Sequence, residues 1–155
     1  MKRCRFLLFV FCLSTFFSLR VFAGDVSENM ADLLYRAEQG DTTAQNRLGF
    51  MYYNGDGVVR DTNEGFSWYE KAAKNGNSDS QIALCLIFKF GVGDLDADLK
   101  TAYAWAYAAS KQGRNNAAEI AANIKSQLSV QEYETAELLA HKYYESYVVP
   151  FQKGD

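Results

Sequence analysis

The chain has 155 residues, with 16 lysines and arginines, 19 aspartates and glutamates, and a formal net charge of −3. This length suffices for one domain with a buried core. All 19 acidic residues but only 12 basic residues follow residue 23, so the chain beyond that point carries a net charge of −7. This acidic balance, without a cluster of lysines and arginines, disfavours binding to nucleic acid or to anionic membrane surfaces.

Residues 1–23 have the order of a secretory signal peptide. Basic residues in MKRCR precede the apolar run FLLFVFCLSTFFSL, and VFA ends the segment with small side chains at Val21 and Ala23. The run has about 14 residues, short of the roughly 20 that span a bilayer. We expect cleavage after Ala23, secretion across the inner membrane and, in a Gram-negative host, a periplasmic product without stable membrane insertion. A retained membrane anchor is the alternative.

Cysteine usage gives little support to disulfides. Cys4 and Cys12 lie within the predicted signal peptide, so its removal leaves Cys85 alone and excludes an intramolecular disulfide. Cys85 lies among apolar residues, which favours a small buried side chain over a reactive thiol.

Two stretches of the chain repeat each other. AQNRLGFMYYNGDGV begins at Ala44, and SQIALCLIFKFGVGD begins at Ser80, 36 residues later. Beyond the Gly-x-Gly the offset becomes 37, which places one inserted residue in a loop, because an insertion within a helix would rotate its apolar face. The recurring pairs are Leu48 and Leu84, Tyr52 and Phe88, Gly55 and Gly91, Gly57 and Gly93, Asp61 and Asp98, Trp68 and Trp105, and Gly76 and Gly113.

Each unit is predicted to form two antiparallel helices. In the first unit, apolar residues recur at helical spacing over 43–53, and glycines follow. Asp61 is the predicted N-cap of a second helix over 62–75, which ends at Gly76. The second unit repeats this pattern, with Asp98 or Asp96 as the cap.

The flanks of the repeats are predicted to be helical as well. Residues 24–41 are expected to form an N-terminal capping helix, and 114–155 a half-repeat followed by a C-terminal capping helix. Ser129 and Glu132 form a capping-box sequence that begins this last helix, predicted over 130–147, and Pro150 blocks its continuation. An uncapped repeat stack would expose apolar surface, so terminal caps are expected.

The pattern A-x-x-x-L-G-x-x-Y-x-x-G-x-G-V, then D, then W-Y-x-K-A-A-x-x-G resembles the Sel1-like repeat, a relative of the tetratricopeptide repeat. Residues 44–76, with Gly49 in the motif's first glycine position, match nearly throughout; residues 80–113 match less closely, with Cys85 in that position. The resemblance implies an all-α fold, a short right-handed α/α superhelix or solenoid. It has two repeats within 42–113 (about 44–79 and 80–116).

Family resemblance further implies action through protein–protein contact, as an adaptor in the bacterial envelope. First helices of such repeats line the concave surface, where exposed aromatic side chains beside polar groups make good interface anchors. The predicted partner-binding residues are Asn46, Phe50, Tyr53, Ile82, Leu86, Lys89, Glu119 and Asn123. The partner is expected to be an envelope protein or, if this is a periplasmic immunity protein, a secreted toxin; the oligomeric state stays open.

Candidate chemistry is weak by comparison. The Gly55–Gly57 loop lacks the preceding strand and the Lys-Ser/Thr pair of a phosphate-binding loop. Aspartates at 94–98 lack the ligand spacing of a calcium loop, and His141 is the only histidine. We therefore predict no catalytic residues, metal ligands or cofactors. A β-lactam or cell-wall hydrolase is the disfavoured enzymatic alternative, because no nucleophile motif occurs.

Overall fold

The structure is a computed structural model that describes residues 29–92 and 95–152. The chain divides into two compact units, 1–33 and 34–155. The described part of the first unit is the start of helix α1, where the Leu33 amide donates to the Asn29 carbonyl at 3.0 Å. The predicted signal peptide and Gly93 lie outside the described residues.

Helices account for the regular structure of the described residues, and the predicted all-α fold is confirmed. An isolated bridge between Val92 and Leu95 accompanies them. None of the described helices has the length and apolarity to cross a membrane. The helices are α1 (Met30–Glu38), α2 (Thr42–Asn54), α3 (Thr62–Lys74), α4 (Ser78–Phe90), α5 (Leu99–Lys111), α6 (Ala117–Lys125), α7 (Val130–Tyr147) and α8 (Val149–Gln152).

The helix bounds reproduce the two sequence offsets. Helices α2 and α4 begin and end 36 residues apart, whereas α3 and α5 begin and end 37 residues apart. The inserted residue therefore lies in the loop between α4 and α5, as predicted. Each of the helices α2 to α5 packs against the next one along the chain, which is the packing of a solenoid of helix pairs.

Aspartate side chains begin the second helix of each repeat. Asp61 accepts from the amides of Asn63 and Glu64, each at 3.0 Å, and Asp98 accepts from those of Lys100 and Thr101 at 3.0 and 3.2 Å. Both predicted N-caps are confirmed, with Asp98 rather than Asp96 in that position. The Ser129–Glu132 capping box also forms.

Glycines end the first helices because the backbone there turns into the left-handed region. Gly55 (φ 76°) follows α2 and donates its amide to the Met51 carbonyl at 2.8 Å. Gly91 (φ 67°) follows α4, and a Cβ on it would lie 2.7 Å from the Leu95 carbonyl oxygen. The backbone conformation of these loops requires glycine. This agrees with the recurrence of the glycines in both repeats.

The two repeats fill one core position in different ways. In repeat one, a Cβ on Gly49 would lie 2.6 Å from the ring of Tyr69, so the glycine admits the ring. The equivalent residues in repeat two are Cys85 and Ala106, a larger side chain beside a smaller one, and both are buried. Cys85 is buried, as predicted, and burial raises the pKa of its thiol to about 12, which disfavours the reactive thiolate form.

The C-terminal helix α7 packs along α5, the second helix of repeat two. Trp105 on α5 lies under the rings of Tyr143 and Tyr147, with centroid distances of 4.5 and 5.5 Å. Beyond α7, the Phe151 ring lies against Gly76 at the end of repeat one. The predicted terminal helix thus covers the layer of second helices.

Candidate partner-binding face

The eight residues predicted to contact a partner lie on three helices, α2, α4 and α6, which are the first helices of successive units. Together they are called the first-helix face: Asn46, Phe50 and Tyr53 on α2, Ile82, Leu86 and Lys89 on α4, and Glu119 and Asn123 on α6. Helix α7 packs with α5, α8 and α3, and so with the second helices rather than with this set.

Two large apolar side chains of the first-helix face are exposed. Phe50 on α2 is 50% exposed, and Leu86, which holds the equivalent position on α4, is 41% exposed. Phe90 lies one turn beyond Leu86 and is 68% exposed, although the sequence prediction did not include it. Apolar surface at equivalent positions of two stacked helices forms a stripe that another protein segment can cover.

Polar side chains link the first helices to one another. The Ser80 hydroxyl donates to Asn46 Oδ1 at 2.8 Å, which joins α4 to α2. Lys89 Nζ donates to Asn123 Oδ1 at 3.1 Å, which joins α4 to α6. These bonds hold neighbouring helices of the face in register, so Asn46 and Asn123 are bonded within the protein itself.

Tyr53 and Ile82 are half-buried, and Tyr53 also has a packing role. Its ring centroid lies 6.1 Å from that of Tyr69, and burial raises the pKa of the Tyr53 phenol. The backbone of Tyr53 meets α3 at Gly65, where a Cβ would lie 2.6 Å from the Tyr53 nitrogen. Tyr53 therefore anchors α2 to α3 as well as bordering the face.

Sequence reasoning missed a pair of buried glutamines at equivalent repeat positions. Gln45 donates to the Ala37 carbonyl at 2.9 Å, and Gln81 donates to the Ala73 carbonyl at 3.1 Å. Gln112 in turn donates to Gln81 Oε1 at 2.8 Å. Each glutamine ties a first helix to the end of the preceding helix. The sequence contains a signal for this pair, because a glutamine recurs after 36 residues, next to positions that are buried.

The remaining ionisable candidates are engaged in packing and capping. His141 lies beside the Tyr107 ring at 5.5 Å between centroids, and Glu137 accepts from the Tyr133 hydroxyl at 2.9 Å. Over the described ranges 29–92 and 95–152, no group of three or more histidine, cysteine, aspartate or glutamate side chains could hold a metal ion.

Asp98 makes the stability of the protein depend on pH. Burial opposes its charge, but bonds from the Thr101 hydroxyl (2.7 Å) and the Thr101 and Lys100 amides outweigh it and lower the pKa of the carboxyl. Because the folded-state pKa lies below the unfolded value, the stabilisation is present above the unfolded pKa of about 3.9 and disappears as pH falls through the folded one.

We therefore expect Asp98→Asn to lower the melting temperature at pH 7, and this loss to shrink as the pH falls below about 3.9. Asparagine is also a good N-cap, so the substitution removes the charge and keeps a cap. Thermal melts between pH 3 and 7 measure the difference in melting temperature between the wild-type protein and the variant. The contributions of the other acidic residues cancel, because both proteins contain them. An equal loss at both ends of this range would contradict the assignment.

The Sel1 repeat family model matches residues 42–77 and 78–113. A solved structure of a protective antigen with an SLR fold, present in uropathogenic Escherichia coli strains, is similar with a TM-score of 0.71 and 30% identity. The match covers 79% of this chain and 27% of that one. A Sel1 repeat protein from Oxalobacter formigenes has a TM-score of 0.59 and 26% identity, over 75% of this chain and 96% of that one.

Two plant proteins share part of the sequence. The chain is 32% identical over 77 residues to the ERAD-associated E3 ubiquitin-protein ligase component HRD3A of Arabidopsis thaliana, and 37% identical over 60 residues to HRD3B. These matches cover 49% and 38% of this chain but only 11% and 10% of the relatives, so the chain spans about a tenth of their length. The chain therefore carries two Sel1 repeats, over residues 42–77 and 78–113, and has the SLR fold.

Proposed function

We propose that this protein is a non-catalytic protein-binding module, an adaptor in the bacterial envelope, that contacts its partner through the first-helix face. The observation that supports this proposal most strongly is the exposure of Phe50 and Leu86 at equivalent positions of consecutive repeats. Full burial of such a side chain against a partner is worth about 1.5–3 kcal/mol.

The scaffold around these side chains favours binding over catalysis. Phe50 and Leu86 stand on helices joined by the Asn46–Ser80 bond, so their backbone loses little conformational entropy when they are covered. Aromatic and aliphatic anchors with polar neighbours are typical of the centre of a protein interface.

The relatives support the same class of function. HRD3A and HRD3B are named as components of a ubiquitin-protein ligase, and thus as parts of an assembly of proteins. The proposal of an exported, periplasmic protein rests on the residue order of 1–23. A periplasmic product with a mass that corresponds to residues 24–155 would support it, and a full-length product would contradict it.

A second candidate is a periplasmic immunity protein that neutralises a secreted toxin. The net charge of −7 beyond residue 23 favours it, because an acidic surface would attract a basic toxin. Genes for a toxin beside that for this protein would favour this role over that of an adaptor. A hydrolase is the least supported alternative, and β-lactam turnover abolished by a point substitution would establish it.

The test is capture of cross-linked partners from the host envelope by the wild-type protein and by Phe50→Ala/Leu86→Ala. We expect the double variant to capture at least about tenfold less partner than the wild-type protein, since two apolar anchors are truncated. A matched control is Val130→Ala/Leu138→Ala, two exposed apolar residues (79% and 75%) on α7. This control is expected to capture wild-type amounts.

Both double variants are expected to fold, because the truncated side chains are exposed, and thermal melts would verify this. Equal capture by the wild-type protein and a folded Phe50→Ala/Leu86→Ala variant would show that the partner binds elsewhere. Loss of capture in the Val130→Ala/Leu138→Ala control alone would show that the partner binds on the side of the second helices, where α7 lies.

A further inference from the structure

Lys89 places a positive charge in the middle of the exposed apolar stripe. It lies between Leu86 and Phe90 on α4 and is half-buried. Its ammonium group donates to Asn123 Oδ1 at 3.1 Å and lies 5.3 Å from the centre of the Phe90 ring. Both partners are neutral, and none of the ion pairs among the described residues 29–92 and 95–152 involves Lys89.

Repeat one places a second cation at the same level. Tyr53 holds the position on α2 that Lys89 holds on α4, and the Tyr53 carbonyl accepts from Arg60 Nε at 3.1 Å. Arg60 is exposed, and the partner of its Nε is also neutral. Each repeat therefore presents one cation at this end of its first helix, although the two residues occupy different positions in the repeat.

The acidic residues of the protein are concentrated away from this face. Helices α2, α4 and α6 carry three basic residues (Arg47, Lys89 and Lys125) against two acidic ones (Asp79 and Glu119), and Asp79 is paired with Arg114. Helix α7 alone carries four glutamates against one lysine. The three first helices thus carry a small positive charge on a chain of acidic net charge, and within the first-helix face Lys89 on α4 and Glu119 on α6 are the two charged residues.

We propose that the segment bound by the first-helix face is an apolar and acidic stretch of protein. Its apolar side chains cover Phe50 and Leu86, and its carboxylate replaces or joins Asn123 as the partner of Lys89. A carboxylate adds the attraction of opposite charges to the hydrogen bond from the ammonium group, and this attraction strengthens where apolar groups exclude water. This inference rests on the proposed function and specifies the chemistry of the partner.

The test is a selection of random twelve-residue peptides, displayed on phage, against the purified protein. We expect enrichment of sequences with Asp or Glu close to Phe, Leu, Ile or Trp. Lys89→Glu is expected to weaken the best selected acidic peptide at least about tenfold, as measured by fluorescence anisotropy, and to favour its Lys-substituted version. The matched control is Lys142→Glu, at an exposed position of α7. Its affinity for the peptide is expected to stay within about twofold of the wild-type value, because that charge lies away from the first-helix face.

Selected peptides that are basic or purely apolar, an empty selection, or unchanged binding in a folded Lys89→Glu variant would each overturn the acidic-partner proposal. These outcomes are separable from failure of the proposed function. If Phe50→Ala/Leu86→Ala loses its cross-linked partner while Lys89→Glu keeps it, the face binds protein but not through a carboxylate. If neither variant loses the cross-linked partner, the partner does not bind through the first-helix face.

Discussion

Replacing Trp105 by alanine is expected to destabilise the protein by about 3–5 kcal/mol, the usual cost of removing a buried tryptophan. Trp105 is 3% exposed and belongs to the same core cluster as Leu84 on α4. It also contacts α7, through the rings of Tyr143 and Tyr147. The substitution therefore removes core volume and loosens the C-terminal helix.

Urea denaturation followed by far-UV circular dichroism measures this loss. Trp105→Phe serves as the control, because it keeps an aromatic ring between α5 and α7 and is expected to cost well under half as much. Leu138→Ala, on the exposed side of α7, is expected to change stability by less than about 0.5 kcal/mol. A Trp105→Ala protein with wild-type stability would contradict the packing of α7 on α5.

Gly65→Ala is expected to destabilise the protein by about 1–3 kcal/mol, the range for overpacking. Helix propensity alone predicts the opposite sign, since alanine is favoured over glycine in a helix interior by about 1 kcal/mol. A Cβ on Gly65 would lie 2.6 Å from the nitrogen and 2.8 Å from the Cα of Tyr53. Those atoms are backbone, so α2 and α3 must move apart to admit the methyl group.

Repeat two supplies the matched control for this position. Ala102 on α5 is the equivalent of Gly65 and is fully buried, so the second helix pair already accommodates a methyl group there. Ala102→Gly is expected to cost about 1 kcal/mol through helix propensity and lost packing. Opposite substitutions at equivalent positions should therefore both lower the denaturation midpoint. A higher midpoint for Gly65→Ala would show that α2 and α3 are less closely packed than described.

The repeat period allowed most of the helical architecture to be predicted from sequence. Two offsets, 36 and 37, located both helix pairs and the inserted loop residue, because glycine and aspartate mark helix ends by local backbone chemistry. The Ser129–Glu132 capping box located the start of α7 for the same reason. Such signals are local, and they act within a few residues of the positions that carry them.

Contacts distant in sequence could not be predicted in this way. Nothing in α7 shows that its tyrosines pack on Trp105 or that Phe151 lies against Gly76. The exchange of Gly49 and Tyr69 for Cys85 and Ala106 likewise becomes intelligible only when the pairs are seen in contact. Side-chain complementarity between helices depends on three-dimensional packing rather than on spacing along the chain.

The composition of the first-helix face was predicted from repeat position, and its use as a binding surface stays a prediction. The structure adds how its members differ: Phe50 and Leu86 are exposed, Tyr53 is packed against α3, and Asn46 and Asn123 bond to neighbouring helices. Phe90, which the sequence prediction omitted, extends the exposed stripe beyond Leu86. Exposure could not be read from the apolar run 82–90, where buried and exposed residues alternate irregularly.

The central claim is that a partner protein covers Phe50 and Leu86, and site-specific photo-cross-linking in cells tests it most directly. A benzophenone side chain would replace Phe50 in one variant and Leu138 in another. We expect a cross-linked adduct from position 50, diminished by Leu86→Ala, and none from position 138. An adduct from position 138 without one from position 50 would contradict the claim.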